Sequence, residues 1–328
     1  MKEHMRQLRI PGPTPVPSRV VRAAARPIFN HRGPVFHKLH AEATAGLRQV
    51  FATEGDVALI TGSGTAAMEA AVANTVNPGD KVLVLVGGVF GGRWGKIARA
   101  FGAEVIEYNY DWSQGADPAR VAQYLADDAD IVAVFATHNE SSTGVLNDIA
   151  GLSKARTVNG TRHRALLIVD SVSGIGGAPL LMDEWDVDVV VTGSQKCLMV
   201  PPGLSFVAWG SRADARMAET HNNRFYFDLR TYKEAGARGE TPFTPAVSLV
   251  AALRDGLAII EEEGLETAFA RHRLMRDMVR AAMKALDMNL FTSDRWASPT
   301  VTSVLAPEGV DVADLASPRQ HREHGWRG

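Results

Sequence analysis

Ala165-Leu166-Leu167-Ile168-Val169-Asp170 and, further along, Val187-Asp188-Val189-Val190-Val191-Thr192-Gly193-Ser194-Gln195-Lys196 decide the fold. Each is a short run rich in Leu, Ile and Val that ends in small or polar residues. A strand covered on both faces reads this way, whereas a strand with one wet face alternates. The pattern recurs upstream at Val57–Thr61, Lys81–Val86, Glu104–Asn109 and Ile131–Thr137. Helical stretches lie between these runs: Ala66–Val76, Arg93–Phe101 with Gly102 as its stop, and Pro118–Asp127 with Pro118 suited to the first turn. Pro78-Gly79-Asp80 is a turn. At least six buried strands separated by helices predict an α/β chain with a mostly parallel sheet covered on both sides.

The two ends read differently. Pro11-Gly12-Pro13-Thr14-Pro15-Val16-Pro17 cannot be helix, because its prolines fix φ and remove donors. It predicts an extended arm lying on its own chain or on a partner. Past Pro245 the strand rhythm stops. Ala246–Glu263 sets Leu249, Leu253, Leu257 and Ile260 on one helical face, Thr267–Met288 is a second amphipathic helix, and Leu290–Thr292 and Thr300–Leu305 read as strands. The expected organisation is an arm over residues 1–20, a large domain over 21–245 and a small α+β domain over 246–328.

The 328 residues are about 45% apolar and 22% charged, with a formal net charge of −2. That balance excludes disordered and collagen-like chains, and it lacks the basic excess that a nucleic-acid binder needs to neutralise phosphates. A single cysteine, Cys197, excludes an internal disulfide and a cysteine-built zinc site. The start of the chain lacks a signal-peptide core, and no apolar run is long enough to span a bilayer. The expectation is a soluble, cytoplasmic protein with no membrane partner and no metal.

Three features carry chemistry. Asp170 ends a strand, and in open α/β sheets ligands bind beyond the carboxyl ends of strands; an N-cap or turn role is the bland alternative. Lys196 follows a strand in a loop of small residues, where desolvation would lower its pKa and free the amine as a nucleophile; the alternative is a solvated surface lysine. Thr61-Gly62-Ser63-Gly64-Thr65 precedes an Ala-rich helix, whose free N–H groups would take an anion. It matches neither the P-loop nor the dinucleotide fingerprint. Together they supply what pyridoxal phosphate (PLP) requires: a phosphate site, a carboxylate for the ring nitrogen and a lysine for the aldehyde.

The sequence resembles the class V (fold type I) PLP-dependent aminotransferases, in their alanine–glyoxylate and serine–glyoxylate (serine–pyruvate) branch. The resemblance rests on Pro11-Gly12-Pro13, Thr61-Gly62-Ser63-Gly64-Thr65 with Met68-Glu69-Ala70-Ala71, Gly88-Val89-Phe90-Gly91-Gly92-Arg93, Thr137-His138-Asn139-Glu140-Ser141-Ser142-Thr143-Gly144, Val169-Asp170-Ser171-Val172, Gly193-Ser194-Gln195-Lys196 and Pro201-Pro202-Gly203. It implies a fold type I sheet of seven strands, mostly parallel, and a homodimer with active sites at the interface. It also implies roles. Lys196 would carry the Schiff base and move the proton, and Asp170 would bind the ring nitrogen. Ser63, Gly64 and Thr65 would hold the phosphate, and Phe90 would stack on the ring. Ser141 and Gln195 would touch the cofactor, Gly12 would lie near the substrate, and Thr241 and Thr244 would reach the phosphate across the dimer, although relatives often carry Tyr where Thr241 stands. His138 reads as structural, Cys197 as badly placed for desulfurase chemistry, and His31, Arg32 and Arg93 as gate or interface residues.

The implied reaction is ping-pong transamination of a small amino acid, alanine or serine, with glyoxylate or pyruvate. A 2-aminoethylphosphonate-type transaminase, a lyase and a PLP binder with impaired turnover remain alternatives. The last arises at the C-terminus, where the family's small domain carries an arginine that grips the substrate carboxylate. Ala316–Gly328 does not resemble that segment, and Arg319, Arg322 and Arg327 do not sit in the family's motif. The expectation is a small domain truncated relative to the family.

Overall fold

The computed structural model describes residue 8 and residues 10–312. The tail, with Arg319, Arg322 and Arg327, lies outside the described residues. In chain order the elements are α1 (Ser18–Ala24), α2 (Pro34–Phe51), β1 (Asp56–Thr61), α3 (Gly64–Thr75), β2 (Lys81–Val86), α4 (Val89–Ala100), β3 (Glu104–Asn109), α5 (Pro118–Asp127), β4 (Ala133–Thr137), β5 (Asn139–Glu140), β6 (Val145–Leu146), α6 (Ile149–Lys154), β7 (Thr157–Val158), β8 (Thr161–Arg162), β9 (Leu166–Asp170), β10 (Val189–Gly193), β11 (Leu204–Trp209), α7 (Ser211–Glu219), α8 (Leu229–Gly236), α9 (Val247–Glu263) and α10 (Leu265–Ala285).

Seven strands form one sheet in the order β1-β11-β10-β9-β4-β2-β3, with β11 antiparallel to both its neighbours and every other pair parallel. Strand β11 is the one sheet strand that the reading above did not name. It follows Pro201-Pro202-Gly203, whose turn signal masks the apolar run behind it.

Residue parity along the strands divides the core into two layers, as a period of two requires. Leu59, Leu83, Val134, Leu167, Val190 and Phe206 face one side, with α2, α5, α6 and α9. Ala58, Val82, Phe135, Ile168, Val191 and Val207 face the other, with α3, α4, α7 and α8. Helix α3 is rich in alanine, so it lies close against β10 and β11. Helix α9 packs on α1 and α2 and buries Val250, Leu253 and Leu257 in the first layer. Gly256 permits that seat, because a Cβ there would lie 2.7 Å from the Leu198 carbonyl oxygen.

Two expectations need correction at the C-terminal side. Leu290–Thr292 and Thr300–Leu305 are not strands but meet in one antiparallel bridge, Leu290 to Val304, flanked by Phe291 N–H to Ser303 O and Leu305 N–H to Asn289 O. The side chain of Thr300 is drawn instead toward Asn139 and Ser173, which holds that segment against the sheet's edge loops. Helix α4 also begins earlier than expected, at Val89, for a reason that lies in the site. No helix among the described residues is long and apolar enough to cross a membrane.

Candidate active site

Because the parallel strands share one direction, their carboxyl ends lie along one edge. Ser63–Thr65 follow β1, Phe90 follows β2, Asn139–Ser141 follow β4, and Gln195 and Lys196 follow β10, while Asp170 is the last residue of β9. A cavity of about 370 Å³ opens there. It is lined by Gly12, Ser63, Gly64, Thr65, Phe90, Ser141, Asp170, Gln195 and Lys196 among the residues singled out from sequence. Thr241 and Thr244 are not in its wall. Thr241 is buried and its hydroxyl donates to the Phe243 carbonyl (2.7 Å), while Thr244 is exposed.

The proline arm lies on its own chain. Thr14 N–H donates to Gln195 O (3.0 Å) and Thr14 Oγ1 to Lys196 O (2.9 Å), so the arm clamps the lysine loop. Lys196 Nζ donates to Pro11 O at 2.6 Å. Burial pulls this ammonium below its ordinary pKa, against Cys197 and Asp170. Gly12 has a φ of +152° and its Cβ would stand 2.4 Å from Lys196 Nζ. Only glycine gives that backbone and leaves the amine its space.

Asp170 is 3% exposed, and its hydrogen bond comes from Val172 N–H at 2.8 Å. Burial pushes its carboxyl up to about 7. The Val172 N–H opposes this, Glu140 adds to it, and Arg93 and Lys196 oppose it. A carboxylate with one backbone donor and no cation in ion-pair contact is costly to bury.

Helix α3 starts at this edge without a side-chain cap from Ser63, so its first N–H groups are unsatisfied within the helix. Gly64 is required by packing, since a Cβ would lie 2.7 Å from Val172 Cγ2. A Cβ at Gly193 would lie 2.8 Å from Gln195 Oε1 and 3.4 Å from the Gly64 backbone, so glycine there lets the end of β10 sit close to the start of α3. Gln195 Oε1 and Asn139 Oδ1 are buried without a hydrogen-bond partner.

Helix α4 is capped from a distant loop. Its own N-cap position is Gly88, which offers no side chain. Glu140, 2% exposed, accepts from Phe90 N–H (3.0 Å) and Gly91 N–H (3.1 Å), and Ser142 Oγ accepts from Val89 N–H (3.1 Å). The helix can therefore begin at Val89, and the aromatic Phe90 is held in the cavity wall. Sequence reading left Glu140 without a task; its place one residue before Ser141 was the available signal. His138 is buried, held by burial at a pKa of about 4, and bonded through Nδ1 to Ser171 Oγ (2.9 Å), which suits a structural imidazole beside the Asp170 turn. Burial pushes the Cys197 thiol up to about 11, so it is no ready nucleophile.

Fold and site together define an α/β enzyme with a lysine amine and a buried carboxylate on one cavity at the sheet's carboxyl edge. The class-V aminotransferase family matches residues 8–319, and the chain belongs to that family. It is 41% identical over 312 residues to the soluble hydrogenase 42 kDa subunit of Anabaena cylindrica, covering 94% of this chain and 80% of that protein. It is 38% identical over 315 residues to serine–glyoxylate aminotransferase of Methylorubrum extorquens, covering 93% and 78%. The crystal structure of an alanine–glyoxylate aminotransferase from Nostoc superposes with a TM-score of 0.89 at 31% identity, covering 94% of this chain and 81% of that one.

Proposed function

We propose that the cavity binds pyridoxal phosphate and that the chain transfers an amino group from a small amino acid, alanine or serine, to glyoxylate or pyruvate by a ping-pong route. One observation carries the cofactor reading: Asp170 is buried without a cation, in the same cavity as an amine that burial has made easier to deprotonate. A protonated ring nitrogen would meet the carboxylate's need for a positive partner. The uncapped start of α3 and the orphaned Gln195 Oε1 fit an oxygen-rich group and a donor at the cavity wall. The substrate reading rests on the glyoxylate enzymes to which the chain is similar.

When bound, PLP supplies an aldehyde that condenses with amines and a ring that accepts electrons released at the substrate Cα. The protein's residues do the rest. Lys196 Nζ, whose pKa burial lowers, gives up its proton more readily than a solvated lysine, and its neutral form can attack a carbonyl carbon. The same nitrogen, when not itself bonded to the cofactor, would receive a proton from a substrate Cα held in the cavity and return it. Asp170 keeps the ring nitrogen protonated by offering it a buried negative charge. Ser63, Gly64 and Thr65 hold the phosphate with hydroxyl and backbone donors, and Phe90 offers a flat apolar face. Ser141 and Gln195 supply polar contacts, and Gly12 keeps the approach to Lys196 open. Exposed Thr244 is the better placed of the two threonines to reach a second copy of the chain.

The experiment adds PLP to the purified chain, reduces with borohydride and maps the mass increase. Label on the Lys196 peptide, absent in Lys196→Ala, is the expected result; label spread over surface lysines overturns the cofactor reading. Amino donors are then compared with glyoxylate as acceptor. Faster turnover of alanine or serine than of larger donors supports the substrate reading, and the reverse order overturns it.

A further inference from the structure

Among the described residues that line the cavity, Arg93 is the one arginine, and the sequence reading placed it only as a gate or interface residue, with no ligand assigned to it. It sits one turn after Phe90 on α4, with its guanidinium carbon 4.7 Å from the centre of the Phe90 ring. Its Nη1 donates to Thr65 Oγ1 at 3.0 Å. No described carboxylate lies within ion-pair distance of it. The two acids nearest in the chemistry are committed elsewhere. Glu140 accepts from Phe90 N–H, Gly91 N–H and both the N–H and the hydroxyl of Ser142. Asp170 accepts from Val172 N–H. The wall therefore holds a half-buried guanidinium with no carboxylate in ion-pair contact, Asp170 acting on it only from a longer distance.

The contact with Thr65 indicates where that charge acts. A threonine hydroxyl has one proton and two lone pairs. When Arg93 occupies a lone pair, the Thr65 proton is left to donate elsewhere. Thr65 stands in the first turn of α3, which has no side-chain cap and whose Ala66 N–H already donates to Ser63 O (2.8 Å), leaving the N–H groups of Gly64 and Thr65 outside the helix's own ladder where the dipole favours an anion. Guanidinium, hydroxyl and helix start thus converge on one spot.

We propose that Arg93 is a phosphate-binding residue: it gives the phosphate monoester of the cofactor a full positive charge and turns the Thr65 hydroxyl into a donor toward it. This rests on the cofactor reading above. A second anion, the substrate α-carboxylate, is the competing ligand for Arg93, and the experiment separates the two.

The ligand-free chain is titrated with pyridoxal 5′-phosphate and with pyridoxal, following quenching of the intrinsic tryptophan fluorescence. Wild type, Arg93→Gln, Arg93→Lys and Thr65→Val are compared, with thermal melts to check folding. Losing a charge-assisted hydrogen bond and its charge should raise the Kd for pyridoxal 5′-phosphate by roughly 10- to 100-fold in Arg93→Gln, and for pyridoxal by less than about twofold. Arg93→Lys keeps the charge and should recover part of the loss, which a merely structural tie between α3 and α4 would not do selectively for the phosphorylated ligand. In Thr65→Val the further loss from Arg93→Gln should be smaller than in wild type, since the two act as a unit. Equal weakening of both ligands, or of neither, overturns the assignment. So does an unchanged Kd for pyridoxal 5′-phosphate with a raised KM for the amino donor, which assigns Arg93 to the carboxylate. A wild-type chain that binds neither compound overturns the cofactor reading itself, a result read before any variant is made.

Discussion

Replacing Asp170 by Asn tests the central electrostatic claim without any ligand. In the folded chain burial lifts this carboxyl from 3.8 to about 7. Each unit is worth about 1.4 kcal/mol, so a shift of that size corresponds to roughly 4 kcal/mol at full weight. Water entering an open cavity lowers this, and about 2–4 kcal/mol is the working range. The sign follows from linkage. A folded-state pKa above the unfolded value means that the native state binds more protons between the two values. Stability is therefore lost as pH rises through the window from 3.8 to about 7, and the deficit stays constant above it. Asn keeps an acceptor for the Val172 N–H but carries no charge. Urea unfolding of the ligand-free chain and of Asp170→Asn at several pH values gives the difference directly. The variant should be the more stable of the two at pH 8, and the gap should close as the pH falls towards the ordinary carboxylate range. A gap that is independent of pH, or a variant less stable than wild type at pH 8, refutes the account. The same variant should lose cofactor affinity, so stability and binding move in opposite directions.

Two further substitutions probe how the site is built. Glu140→Ala removes buried acceptors from the start of α4 and should cost about 2–3 kcal/mol in urea unfolding, while Glu140→Gln, which keeps one carbonyl oxygen, should cost about 1 kcal/mol; equal effects from the two would show that the cap contributes little. Gly64→Ala drives a Cβ to 2.7 Å from Val172 Cγ2 and should destabilise by about 1–3 kcal/mol as overpacking does. Val172→Ala should rescue it, and a failure of rescue would place the strain elsewhere.

How far the sequence led can be judged residue by residue. Lys81–Val86 and Leu166–Asp170 were legible because a strand covered on both faces carries its apolar character in consecutive positions, whereas the edge strand Glu104–Asn109, half-buried at most, was legible from its Val, Ile and Tyr and the helices that bound it. Leu204–Trp209 was hidden behind a Pro-Pro-Gly turn. Leu290 and Val304 look like strand residues locally, yet they share a single bridge. Nine of the expected site residues lie in one cavity wall: eight follow or end strands of common direction, and Gly12 is brought there by the N-terminal arm. The roles of Glu140 and Arg93 were not legible. Their meaning lies in contacts with Phe90, Gly91 and Thr65, distant in sequence, and no local pattern encodes such pairs.

What the sequence determined by itself was six of the seven sheet strands, a mostly parallel sheet and hence the edge where chemistry must lie: hydrophobic periodicity and chain connectivity are local properties that suffice for this. Tertiary structure alone decided the charge balance of the cavity. Whether Asp170 is paired, whether Lys196 is desolvated and whether Arg93 lacks a carboxylate depend on which groups folding brings within a few ångströms and on how much water it removes, and neither is written in any one stretch of the chain.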